Sequence, residues 1–114
     1  MSKTPENLIH NFTSAKLLND FSQANTDTLI MIFFTASWCN PCKMLYPFIN
    51  EKITQYKDVC FSIVDVDTDD YQELCDDFSV QAMPTLLFYK NGLEIEKLVG
   101  GDKEKIETLL SENK

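Results

Sequence analysis

The chain has 114 residues, 44% apolar and 25% charged, with three Gly and four Pro; this is the size and balance of one folded domain, residues 1–114, and excludes a disordered chain. Its longest apolar run, residues 29–34, falls far short of the roughly 20 residues needed to cross a bilayer, so no membrane span is expected. The formal charge of −8 comes with no Arg at all, which removes bidentate phosphate or guanine recognition and sets nucleic acid and anionic lipid aside as partners.

The charge is uneven. Residues 1–57 hold five Lys and four acids, residues 58–114 five Lys and fourteen acids, so the second half presents either a solvated acidic face or a dock for a basic partner. The opening stretch, MSKTPENLIHNF, has neither a secretory apolar core nor an Arg-rich presequence, and the expected address is the cytoplasm.

In chain order, residues 8–12 read as a short strand. Thr13 or Ser14 then caps a helix whose Leu17, Leu18 and Phe21 recur at helical spacing, ended by residues 25–27. Residues 29–34 are apolar throughout, as in a central strand covered on both faces. After Trp38-Cys39-Asn40-Pro41-Cys42-Lys43, the residues Leu45, Phe48, Ile49, Ile53 and Tyr56 predict a helix. Pro41 suits its first turn, whereas Pro47, inside it, removes a hydrogen bond to the Lys43 carbonyl and predicts a kink. Residues 59–66 read as a strand, and residues 67–77 as a short acidic helix with Tyr71, Leu74 and Phe78 on its apolar side. Residues 85–90 and 93–99 form a hairpin at the sheet edge about a type I′ turn at Asn91-Gly92. Gly100-Gly101 break the strand, and Asp102 opens a last helix with Ile106, Leu109 and Leu110 facing inward. The order βαβαβαββα requires crossovers, hence an α/β fold: a mixed five-stranded sheet flanked by four helices.

Four cysteines, at 39, 42, 60 and 75, are too sparse for a disulfide framework of the secreted type. Two form a C-x-x-C, which is either redox-active or metal-binding. A structural zinc site needs a second such pair or two His, but His10 is the only histidine and Cys60 and Cys75 are not so spaced, so no metal is expected. Cys39 ends a strand and begins a helix, where unpaired N–H groups and the helix dipole favour a thiolate. Cys42 lies about one turn on, within reach of a mixed disulfide on Cys39. Cys39 therefore reads as the nucleophile and Cys42 as the resolving thiol; Cys60 and Cys75 read as structural or regulatory.

The segment from Phe34 through Trp38-Cys39-Asn40-Pro41-Cys42 to Lys43 resembles the active-site signature of the thioredoxin family. The likeness continues along the chain through Pro47 (the helix-kinking proline), Met83-Pro84-Thr85 (the cis-proline loop), Asn91-Gly92 (the hairpin) and Gly100 (the docking surface). It implies a thioredoxin fold and a protein-disulfide reductase that works through a Cys39–Cys42 dithiol–disulfide couple. No cofactor would be bound; NADPH would act indirectly, through thioredoxin reductase. The implied partners are that reductase and disulfide-containing proteins such as peroxiredoxins and ribonucleotide reductase, met by a monomer. Trp38 would cover the motif, Pro84 would be cis against the disulfide, and the Met83 backbone would pair with an extended substrate segment.

Three positions depart from the family pattern. Asn40 replaces the usual Gly and can cap the helix with its side chain. Phe33 stands where the family buries an Asp six residues before the first cysteine, the proton acceptor for the resolving thiol, and Ile63 stands at the family's nearby Lys. Two other readings remain beside reduction: an oxidase or isomerase of the same fold, and a non-catalytic module that grips a partner around Trp38, Met83 and Gly100.

Overall fold

A strand that is apolar at every position has no face for water and must be covered on both sides. The computed structural model describes residues 9–114, and in it strand β1 (Ile30–Thr35) lies inside the sheet. Strand β2 (Cys60–Asp65) runs parallel to it on one side and β3 (Thr85–Lys90) antiparallel on the other, with β4 (Leu93–Val99) outermost beside β3. The helices are α1 (Ala15–Ala24), α2 (Asn40–Gln55), α3 (Gln72–Asp77) and α4 (Lys103–Asn113). The predicted acidic helix divides into a 3₁₀ turn, Asp69–Tyr71, followed by α3.

Alternation along β1 sorts the core into two layers. Met31 and Phe33 pack with Leu45, Ile49 and Ile53 of α2 and with Ile106 and Leu110 of α4. Ile30, Ile32 and Phe34 pack on the opposite face with Leu18 of α1 and Leu74 of α3. Helices thus cover both faces, as expected for a crossover-connected sheet.

The sheet has four strands among the described residues, where five were expected. Of the predicted strand at residues 8–12, Leu8 lies outside the described residues and Ile9 makes only an isolated parallel bridge to Phe61. Asn11 explains why the ladder stops. Its Oδ1 accepts from the Ile63 N–H at 3.0 Å and from the Ser62 hydroxyl at 2.6 Å, so a side chain takes the place of a backbone carbonyl. Phe12 then turns into the core of the α1 face.

Local chemistry fixes the ends of the elements. Ser14, not Thr13, caps α1 by accepting from the Leu17 N–H at 3.2 Å, and Asp102 caps α4 by accepting from the Lys105 N–H at 3.1 Å. Asn91 and Gly92 both adopt positive φ, 53° and 76°, the combination a type I′ hairpin turn demands. The turn is tied down: Asp27 N–H donates to Asn91 Oδ1 at 2.7 Å, and Gly92 N–H to Ser22 Oγ at 2.9 Å.

A polar cluster joins α2 to α4. Lys52, almost buried, forms an ion pair with Glu107, which also accepts from the Tyr56 hydroxyl. These two partners hold the Glu107 carboxyl below its usual range. A lowered folded pKa stabilises the fold above the unfolded value of about 4.3, and that contribution is lost as pH falls through the folded pKa. Glu107→Gln is therefore expected to lower stability at neutral pH by less than about 1 kcal/mol, because Glu107 is partly exposed. The deficit should vanish in acid, as read by urea unfolding at both pH values; an equal deficit at both would mean that the charge plays no part.

Candidate redox site

The chain leaves β1 at Thr35 and turns into α2 at Cys39, which has extended backbone (φ −92°, ψ 104°) and is the N-cap. Its Sγ accepts from the Cys42 N–H at 3.2 Å. Sequence reasoning assigns a capping role to Asn40; the structure gives it to Cys39. An N-cap must be non-helical and reach N–H groups two or three residues ahead, whereas Asn40 is already the first helical residue and exposed. Pro41 occupies the first turn and Pro47 the helix interior, as expected.

Cys39 and Cys42 are joined by a disulfide, with Cα atoms 5.3 Å apart. Cys39 retains 4% of its surface and Cys42 none, so the outer sulfur belongs to Cys39. Once reduced, a Cys39 thiolate would face the positive end of the α2 dipole, which favours the anion.

The other predicted site residues gather around this turn. Trp38 is 63% exposed, and its indole N–H donates to Asp67 Oδ2 at 2.8 Å. Asp67, just past β2, is a site residue that sequence reasoning misses, because nothing near either residue signals a partner 29 positions away. The Met83–Pro84 bond is cis. Met83 packs against the core cluster that contains both cysteines, and the Pro84 carbonyl accepts from the Gly100 N–H at 2.8 Å. Gly100 has φ +104°, a conformation that suits only glycine. Exposed Lys43 borders an open pocket of about 290 Å³ with Ser37, Tyr46, Ile63 and Asp65.

Phe33 lies beneath the motif, fully buried in the cluster of Cys39 and Cys42. It stands in register with Ile63, and its ring meets the edge of Tyr46 at 5.9 Å between centroids. Two hydrocarbon side chains thus occupy the positions at which the resemblance places a carboxylate and a lysine.

Cys60 and Cys75 are free thiols on the other side of the sheet, against the α1 face. Burial pushes the Cys60 thiol up to about 11 and raises Cys75 as well, helped there by the Asp76 charge; both disfavour thiolate chemistry. The double variant Cys60→Ala/Cys75→Ala should keep protein-disulfide reduction within a few fold, and loss of most activity in a folded variant would reveal a second redox couple. His10 is exposed and lies against the rings of Phe12 and Phe21, with centroids at 4.7 and 4.5 Å. Among the described residues no group of His, Cys, Asp or Glu is placed to hold a metal ion, and no helix is long and apolar enough to cross a membrane.

The thioredoxin family model matches residues 10–112. Thioredoxin of Rattus norvegicus is 41% identical over 86 residues, which are 75% of this chain and 80% of the rat protein. The solved thioredoxin of Fasciola hepatica has a TM-score of 0.79 at 31% identity, covering 90% of this chain and 96% of its own. Mitochondrial thioredoxin 3 of Saccharomyces cerevisiae in its oxidized form reaches 0.78 at 30% identity, covering 93% and 96%. With the fold, the cysteine pair at the head of α2 and these likenesses in agreement, the chain belongs to the thioredoxin family.

Proposed function

We propose that this thiol–disulfide oxidoreductase works as a reductant: it reduces protein disulfides, such as those of peroxiredoxins and ribonucleotide reductase, and is re-reduced by an NADPH-dependent thioredoxin reductase. It acts as a monomer in the cytoplasm, and its only redox group is the Cys39–Cys42 pair. The position of Cys39 carries this reading, since it caps α2 and is the outer of two sulfurs three residues apart.

The reaction has two exchanges. The Cys39 thiolate attacks one sulfur of the substrate disulfide, forming a mixed disulfide and expelling the other sulfur as a thiolate, which takes up a proton. Cys42 then loses its proton and attacks Cys39 Sγ, so the substrate leaves as a dithiol and the protein as the Cys39–Cys42 disulfide. Trp38, Met83, Pro84 and Gly100 form the docking surface, with the Met83 backbone offered to an extended substrate segment. The hydrogen bond from Gly100 to Pro84 supports their acting as one surface. Asn40, Pro41, Lys43 and Pro47 shape the motif and its helix.

Insulin reduction tests this reading. NADPH consumption in the presence of thioredoxin reductase is expected, and failure with both the reductase and dithiothreitol would favour a non-catalytic module. Equilibration with glutathione tests direction: a reductant should poise near about −270 mV, and a value of about −180 to −120 mV would identify an oxidase or isomerase.

A further inference from the structure

Asn91 is the only Asn of the chain that is followed by Gly, and it stands exposed at the tip of the β3–β4 hairpin. An Asn before Gly loses its side-chain amide more readily than other Asn, because glycine puts no side chain in the way when its own nitrogen turns on the Asn carboxamide carbon. The fold nevertheless requires the pair. Positive φ at both positions favours Asn, Asp and Gly, and a Cβ at position 92 would lie 2.7 Å from Gln23 Nε2 and 3.0 Å from Asn19 Oδ1.

Each atom that would react is already occupied. Asn91 Oδ1 accepts from the Asp27 N–H at 2.7 Å, and Asn91 Nδ2 donates to Asp27 Oδ1 at 3.1 Å, so the carboxamide is gripped at both ends. The nitrogen that would attack, that of Gly92, donates its proton at 2.9 Å to the hydroxyl of Ser22, which is fully buried on α1. To bring Gly92 N onto Asn91 Cγ, the carboxamide must leave Asp27 and the amide must leave Ser22. Three hydrogen bonds break together, which is a local opening of the turn and not an unfolding of the domain.

We propose that the Asn91–Gly92 turn is a site of spontaneous covalent modification, and that Asp27 and Ser22 form the lock that sets its rate. In the open turn, Gly92 N gives its proton to water and bonds to Asn91 Cγ, closing a succinimide, while Nδ2 takes up a proton and departs as ammonia. Water then opens the ring: breaking the new Cγ–N bond yields aspartate, and breaking the original backbone C–N bond yields isoaspartate, whose main chain runs through the former side chain. Neither product fits the lock. Aspartate sets a second carboxylate against that of Asp27 where a hydrogen bond stood, and isoaspartate lengthens a two-residue turn by one methylene. Tyr89 pairs with Ile30, so the turn lies at the opposite end of β1 from the cysteine motif that follows Thr35. Modification therefore loosens the hairpin and spares the redox pair.

The test follows the full-length protein in warm, mildly alkaline buffer, with peptide mass spectrometry separating the Asn, aspartyl and isoaspartyl forms by mass and retention. The folded chain should convert on the order of a hundredfold more slowly than the same chain in urea, at about fivefold for each hydrogen bond. Ser22→Ala should speed conversion of the folded protein about fivefold, and so should Asp27→Gly; Asp27 is exposed and has φ +64°, which Gly adopts freely. Ile53→Val, a mild truncation of the buried α2 face, lowers global stability by a similar amount without touching the lock, and its rate should be that of the native chain. Equal rates in the folded and the urea-unfolded chain, native rates in both lock variants, or an acceleration in Ile53→Val as large as theirs would overturn the lock. Absence of product even in urea would overturn the site itself.

Discussion

Replacing Cys39 by Ser should abolish insulin reduction, with turnover falling by a factor on the order of 10³ or more, because removing a covalent nucleophile leaves no alternative first step. Cys42→Ser should fail differently. Its first exchange remains intact, so the protein should stop as a mixed disulfide with substrate, visible as a heavier species by mass spectrometry and released by dithiothreitol. The contrast follows from burial: Cys39 holds the outer sulfur, and Cys42 is enclosed beneath it in the α2 and α4 core. In the reduced protein, alkylation should therefore reach Cys39 first. A trapped adduct in Cys39→Ser and none in Cys42→Ser would reverse the two roles.

Phe33→Asp should produce the largest loss of stability of any substitution near the site. The ring is fully buried between Ile63 and Leu86 on the neighbouring strands, with Tyr46 at its edge. Truncating a buried Phe costs about 3–5 kcal/mol from lost transfer and cavity, a large share of the roughly 5–15 kcal/mol that holds a domain together. The carboxyl adds a pH dependence. Desolvation raises its folded pKa above the unfolded value of about 3.9, so the acid is neutral in both states at low pH. The penalty should grow as pH rises past 3.9 and level off above the folded pKa. Urea unfolding of both proteins across that range measures it, and a deficit that does not change with pH would mean the acid reaches water. Function should move the other way. With a carboxylate restored beneath the motif, the second exchange should depend less steeply on pH than in the native chain, where Cys42 must give its proton to water or to a substrate group. A difference of at least about tenfold in resolution rate at the lower end is expected for a modest general base. Parallel stopped-flow profiles would show that Phe33 is only core.

Much of this was legible because the signals were local. The unbroken apolar run at residues 29–34 could only be a doubly covered strand, Asn91-Gly92 could only be a tight turn, and the C-x-x-C came with its own helix start. The misses share a different cause. The first strand failed because Asn11 supplies a side-chain acceptor where backbone pairing was expected, a choice made by tertiary contact and invisible to periodicity. The cap fell to Cys39 because the strand end sets its backbone, and composition alone favoured Asn40. The pairs Trp38–Asp67 and Lys52–Glu107 join residues far apart in sequence, so neither residue type marks its partner. Tyr46 is similar: its packing on Phe33 depends on how α2 lies across β1, which no local pattern marks.

The carboxamide of Asn11 also bears on how the edge of the sheet resists pairing with another chain. Strand β2 borders the sheet, and a border with free amides is a template on which another chain can add a strand, the first step toward aggregation. Asn11 closes that border with one side chain by occupying the Ile63 amide and the Ser62 hydroxyl together, next to the Ile9 bridge. A foreign strand would have to evict a group already held by two hydrogen bonds before it could pair. The incomplete first strand thus works as a guard rail on the sheet, and it does so without the regular ladder that would make it a longer copy of the same hazard.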